Sequence, residues 1–312
     1  MSETTPIIDI HHHAIPPALR EAMLAQLKQA ANSAIDLPEW TLQRDWEAMQ
    51  RLGITGALLS MPGSGTPEEV HAFNTFLAET SREDPRHHGF LSNLPMEDTE
   101  AALREIASVL DTLQGDGFAL PSNYQGIYLS DERMDAILAE LHKRSAVVFV
   151  HPGLPAGNNL PLFGRDVSVY EFPFDTTRAM MDLIYTGKLA RYSQIRWIVA
   201  HAGGTIPFLA YRLSIASEWR GITQTPEEVL AALRTLYYDL ALSTSPAVFQ
   251  ALQAVADPSH LLFGSDFPPR PEKGVAQSLE QFFEYPGFSA EEQRSITAGT
   301  AQALFPRFRK TA

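Results

Sequence analysis

The chain has no cysteine among its 312 residues. Disulfide staples, thiolate nucleophiles and thiolate metal sites are therefore excluded, so any transition-metal site must be built from nitrogen and oxygen. The same lack fits a reducing, cytoplasmic compartment. No uncharged apolar stretch reaches the roughly 20 residues of a membrane-spanning helix, and the N-terminus lacks the basic-then-apolar pattern of a secretory signal. No Gly-rich turn follows the first predicted strand, which removes the dinucleotide fingerprint. Positive charge is also scarce, with 24 Lys and Arg against 37 Asp and Glu and a net charge of −13. That balance argues against nucleic acid and anionic membrane as partners. It does not constrain the substrate, because a metal and a few arginines make a locally positive pocket in an acidic protein.

What remains is an ordinary globular composition, 45% hydrophobic and 20% charged. Short apolar, β-branched runs predict strands at Ile7–His11, Ile54–Ser60, His88–Leu94, Gly117–Pro121, Ala146–His151, Ile195–His201, Leu236–Leu242 and Leu261–Ser265. Between them, helical periodicity covers Pro67–Thr80, Thr99–Leu113, Asp131–Arg144, Asp175–Arg191 and Pro226–Leu236, with Asp131 and Asp175 as N-caps. The stretch Ala290–Phe305 reads as a closing helix. Strands alternating with helices in this number predict a (β/α)8 barrel, an α/β fold, as a single domain over 1–312. Residues 152–174, rich in Gly and Asn, are expected to loop over its mouth.

A barrel keeps its active site at the C-terminal ends of its strands. The first strand runs into Asp9-Ile10-His11-His12-His13. Alternation with a period of two places Asp9, His11 and His13 on one face and His12 on the other. Two imidazoles at i and i+2 are a ready pair of metal ligands. The fifth strand ends in His151 before Pro-Gly, the sixth in His201 before Ala-Gly-Gly, and the eighth in Asp266 before Phe-Pro-Pro. Each alone reads as a loop or turn residue; all at one end of one barrel, they form a site. His71, His87, His88, His142 and His260 lie within or before regular elements and are read as structural, as is His12. Asp9 could orient the histidine pair from behind.

The segments Asp9–His13, His151-Pro152, His201–Gly204 and Gly264–Pro268 resemble the amidohydrolase superfamily, in its aminocarboxymuconate-semialdehyde decarboxylase-like branch. Glu171–Arg178 and Tyr237–Asp239 are similar to the 6-methylsalicylate decarboxylase type. The resemblance implies His11, His13, His151 and Asp266 as metal ligands, with His201 and Asp266 catalytic. It implies Arg212 as a carboxylate-binding residue offered to a neighbouring subunit, hence a homodimer or higher homo-oligomer. A second substrate arginine of that branch falls near Asp45, beside Arg44. Binuclear relatives carry a bridging lysine at the fourth strand's end. Lys28, Lys143, Lys188, Lys273 and Lys310 are the lysines here and none ends a predicted strand, so one metal is expected.

Three histidines, an aspartate and an open position suit a catalytic Zn2+, and Mn2+ accepts the same set. The expected reaction is non-oxidative decarboxylation of a hydroxylated aromatic or related unsaturated carboxylic acid. Asp266 would move the proton and His201 would stabilise developing charge. Tyr124, Phe163, Phe174 and Phe267 are candidates for an aromatic wall against that small-molecule acid. The same residues could instead hydrolyse a lactone or amide, and a metal-stiffened barrel that only binds is a third reading.

Overall fold

The computed structural model describes residues 5–31, 37–155, 160–219 and 221–309. Eight parallel strands lie in sequential order: β1 (Ile8–His13), β2 (Gly56–Ser60), β3 (His88–Ser92), β4 (Gly117–Pro121), β5 (Val147–His151), β6 (Arg196–Val199), β7 (Tyr237–Asp239) and β8 (Leu261–Leu262). Extended backbone beyond β8 closes the circle on β1. Ile10 N–H donates to Phe263 O at 3.1 Å, Asp266 N–H to His11 O at 2.9 Å and His13 N–H to Phe267 O at 2.7 Å. This is the expected (β/α)8 barrel.

Inside it, Ile8, Ile10, Leu58, Leu91, Phe149, Ile198 and Leu262 form one apolar cluster. Each such side chain contributes roughly 1.5–3 kcal/mol on burial. Ala298, Ala301, Leu304 and Phe305 pack under that cluster and plug the end remote from the site. The predicted closing helix thus exists, though it is built as Ala290–Arg294, a π turn Ser295–Gly299 and Thr300–Leu304.

The helices follow their local signals. Thr66 and Thr225 each form a capping box, with Glu69 and Glu228, ahead of a proline in the first turn. Asp131 caps a short 3-10 turn as expected. The Asp175 cap is overturned: the helix begins a turn earlier, Glu171–Tyr185, and Asp175 lies buried inside it. The helical pattern over 99–113 passes from α-helix into a π segment at Ser108–Leu113.

Strand β1 departs from plain alternation. Asp9 pairs with Ala57 and His12 with Leu59, so three steps on β1 match two on β2. A bulge of this kind shifts the phase of the side chains that follow it. Ile8 and Ile10 face the barrel interior, and beyond the bulge His11 and His13 reach the mouth. Asp9 is consequently on the side of His12 rather than of the His11–His13 pair.

Candidate metal centre at the barrel mouth

Four imidazoles and one carboxylate converge where β1, β5, β6 and β8 end. His11 lies 5.0 Å, ring centre to ring centre, from His13, His151 and His201 alike. Ligand atoms of His11, His151, His201 and Asp266 all fall within 4.8 Å of one another. His13 Nε2 is 3.0 Å from Asp266 Oδ1.

Three of the rings are held at Nδ1. His11 Nδ1–H donates to Asp239 Oδ2 at 2.7 Å, His13 Nδ1–H to Ser60 O at 3.2 Å and His151 Nδ1–H to Pro152 O at 3.0 Å. A proton fixed on Nδ1 leaves a lone pair on Nε2. Those lone pairs meet Asp266, which is itself an acceptor. His11 Nε2 stands 3.2 Å from Asp266 Oδ1, yet it is a buried nitrogen with no hydrogen bond. Acceptors brought this close without a donor between them match a divalent cation, and the nitrogen–oxygen donor set suits zinc or manganese. His201 differs. Its Nδ1 is buried without a partner, and its Nε2 lies 3.8 Å from Asp266 Oδ2.

The electrostatics agree. Burial, then repulsion from His11, His13 and His201, drives the His151 pKa well below the ordinary histidine value, which keeps it neutral as a ligand must be. Burial likewise lowers that of His13. Burial also opposes charge on His11, but the Asp239 and Asp266 carboxylates at its two nitrogens outweigh it and raise the pKa to about 10. Positive charge is therefore favoured at this point, as a proton or as a metal. Burial pushes the Asp266 carboxyl up, but the imidazoles of His11, His13 and His201 turned on it outweigh burial and hold it well below the usual carboxylate range. Asp266 is ionised at rest.

Backbone conformation supports the placement. His201 (φ 54°) and Asp266 (φ 63°) both occupy the left-handed region, which is uncommon for residues other than glycine and concentrates at functional sites. Two glycines admit the close approaches around them. A Cβ at Gly264 would fall 2.8 Å from the His11 Cβ, and one at Gly204 would fall 2.2 Å from the Pro173 carbonyl oxygen.

The centre opens into a cleft that His13, His151, His201 and Asp266 share with Tyr124 and Phe172. Tyr124 thus stands where expected. Its hydroxyl is buried without a partner, and burial raises its pKa well above the ordinary value, so it remains a donor. Phe172 and Pro173, not Phe174, line the wall, because the helix begins at Glu171. Phe163 is 83% exposed and Phe267 packs 5.2 Å from the His12 ring; neither lines the cleft. Arg212 is not among the lining residues either, and its guanidinium lies 5.8 Å from the Trp219 ring. Pro152–Pro155, Leu160 and Leu162 cover part of the mouth, as expected of the 152–174 loop; residues 156–159 of that loop lie outside the described residues.

The other histidines keep structural partners. His12 Nδ1 meets Asp9 Oδ2 at 2.8 Å and its Nε2 meets Asp45 Oδ1 at 2.9 Å. His88 Nε2 reaches Asp45 Oδ2 at 3.0 Å and Trp40 Nε1–H donates to Oδ1 at 2.9 Å. The Asp9 carboxylate therefore orients His12 and accepts the Ser265 N–H at 2.9 Å, rather than holding the His11–His13 rings. His71 and His87 pair with Glu105 and Asp84, His142 accepts from Gln194 N–H, and His260 stacks on Tyr237. No lysine lines the cleft among the described residues, and β4 ends at Pro121. Asp239 is the residue that sequence reasoning missed. It binds the His11 ring and also accepts the His201 N–H at 2.8 Å.

A parallel barrel with histidines and an aspartate at its C-terminal mouth defines the class: metal-dependent enzymes of the amidohydrolase superfamily. The chain belongs to the amidohydrolase family, whose sequence pattern matches residues 8–307. It is 35% identical to the 6-methylsalicylic acid decarboxylase of Penicillium expansum over 97% of both chains. It is 34% identical to that of Aspergillus aculeatus, again over 97% of both. In fold it resembles the 5-carboxyvanillate decarboxylase of Novosphingobium aromaticivorans, solved with manganese and 4-hydroxy-3-methoxy-5-nitrobenzoic acid. That likeness has a TM-score of 0.86 at 18% identity and covers 98% of this chain and 97% of the other.

Proposed function

We propose that this enzyme is a mononuclear metal-dependent carboxy-lyase that removes CO2 from a hydroxylated aromatic acid of the salicylate type. The observation that carries the reading is the set of Nε2 lone pairs turned on Asp266 inside a chain that matches decarboxylases end to end. Those relatives favour the lyase over the lactone or amide hydrolase. His11, His13, His151 and Asp266 would hold the metal. What supports His13 over His201 as the third nitrogen is its anchored Nδ1. Zinc suits the donor set, and the manganese of the Novosphingobium structure keeps manganese beside it.

When bound, the metal supplies Lewis-acid attraction for the substrate's oxygens. The protein's own groups do the rest. Asp266, ionised at rest, takes the phenolic proton and delivers it to the ring carbon that bears the carboxylate. His201, beside Asp266, steadies the charge on the dearomatised ring. The carbon–carbon bond then breaks, its electron pair returns to the ring, CO2 leaves, and the phenolate regains a proton from solvent. Tyr124 and Phe172 wall the ring. Metal-loaded enzyme should release CO2 from 6-methylsalicylate or a related 2-hydroxybenzoate, and Asp266→Asn should abolish it. Turnover of lactones with none of any hydroxybenzoate would refute this reading.

A homodimer or higher homo-oligomer is part of the same proposal. Phe208 is 87% exposed and Tyr211 77%, on the helix Ile206–Ser214 that carries Arg212, with Trp219 beside them. An aromatic patch of this kind supports self-association that brings Arg212 to a neighbour's site. Sedimentation should find more than one chain per particle, and Phe208→Glu should shift it to monomer; a monomeric parent would sink this part. The cysteine-free composition supports a cytoplasmic location.

A further inference from the structure

The proposed substrate is an anion, yet the cleft is poor in cations. Among the described residues, Arg270 is the one Arg or Lys that lines it. Of the arginines suggested by family resemblance, Arg44 pairs with Glu39, and Arg212 does not line this chain's own cleft, although the proposed oligomer would offer it to a neighbour's.

Arg270 occupies a built seat. Its backbone N–H donates to Asp266 O at 2.8 Å, which ties it to the residue at the centre of the site. Its Nη2–H donates to Gly274 O at 2.9 Å, in the first turn of the helix Glu272–Glu284. A Cβ at Gly274 would fall 3.0 Å from Arg270 Nε, so a side chain there would crowd the guanidinium. Many arginines of this chain carry a carboxylate partner, among them Arg51, Arg133, Arg144 and Arg307. Arg270 has no acidic side chain bonded to it among the described residues, and its buried Nε has no partner at all. A partly desolvated guanidinium with no carboxylate partner is costly unless an anion offsets its charge. Burial lowers its pKa from the ordinary arginine value, the Asp266 charge opposing.

We propose that Arg270 recognises the carboxylate of the substrate through the guanidinium it contributes to the cleft lining near Asp266. This rests on the decarboxylase reading and adds the residue that selects an acid. It also explains product release: once CO2 has left, the phenol lacks the group that Arg270 holds. Recognition of this kind acts in the ground state and chiefly sets KM.

Calorimetric titration of metal-loaded enzyme with salicylate and with phenol tests it. Arg270→Met should weaken salicylate binding about 10- to 100-fold and leave phenol binding unchanged. Arg270→Lys should recover part of the loss, since it restores a point charge without the fork. In turnover, Arg270→Met should raise KM by a similar factor with a smaller change in kcat. Unaltered salicylate affinity in Arg270→Met, or equal loss of acid and phenol, would overturn the assignment. Failure of the decarboxylase reading shows separately, as wild-type enzyme that binds the acid without releasing CO2.

Discussion

At the scale of single residues, the proposed metal centre depends on what stands behind its imidazole rings. Asp239 binds His11 Nδ1 and the His201 and Ala241 N–H groups, so one buried carboxylate sets both a ring and a strained backbone turn. Asp239→Asn retains an acceptor for the backbone while removing the charge behind His11. It should weaken metal binding about 10- to 100-fold, read by competition with a chelator, while the metal-free protein unfolds near the parent temperature. Unchanged affinity would show that Asp239 serves the turn alone. Strand-end position is the signal that identifies His151, and it applies equally to Asp239. It failed there because the apolar run continues through Leu240, Ala241 and Leu242, which hides the end of β7. The exclusion of His12 from the ligand set agrees with its location. Its buried ring lies between Asp9 and Asp45, which raise its pKa to about 10 against the cost of burial. Sequence periodicity cannot show a partner 33 positions away.

At the scale of elements, the β4 loop is clamped to the rest of the mouth by Asp175. This fully buried carboxylate accepts from Ser122 Oγ–H, from Asn123 Nδ2–H at 2.7 Å and from Tyr128 O–H at 2.6 Å. Ser122 Oγ in turn accepts the Gly153 N–H at 2.8 Å, so the loops after β4 and β5 share one anchor, with Tyr124 next to it on the cleft wall. Asp175→Asn places an amide where donors already point. It should cost about 1–3 kcal/mol in denaturant unfolding and raise KM more than it lowers kcat. No change in either would mean that the loop holds itself. The segment 171–178 stands out in the sequence by family likeness, but its role does not. A cap and a buried helical aspartate look alike in one dimension, and the difference is decided by residues some 50 positions upstream. The β1 bulge is equally silent, since period-two alternation and a phase shift both leave His11 and His13 at the mouth.

At the scale of the whole molecule, the barrel was legible because its strands are apolar runs cut short by polar residues at one end. Strand extents were less so: the run 261–265 pairs in parallel only at Leu261–Leu262, and its remainder bonds to β1 to close the circle. The gathering of His11, His13, His151, His201 and Asp266 at one mouth was legible for the same reason as the barrel. The walls of the cleft were not, because Phe172 and Phe174 are equivalent until the helix start is known, and Arg270 resembles any loop arginine until its neighbours are in place.

In the proposed centre, the converging nitrogens and Asp266 surround a single cation. Metal analysis of purified protein, parent and variants, tests this most directly. The expected result is about one divalent transition metal per chain, lost in His11→Ala and His151→Ala and kept in His201→Ala. A parent chain with no metal or with two, or variants at His11 and His151 that keep it in full, would contradict the account.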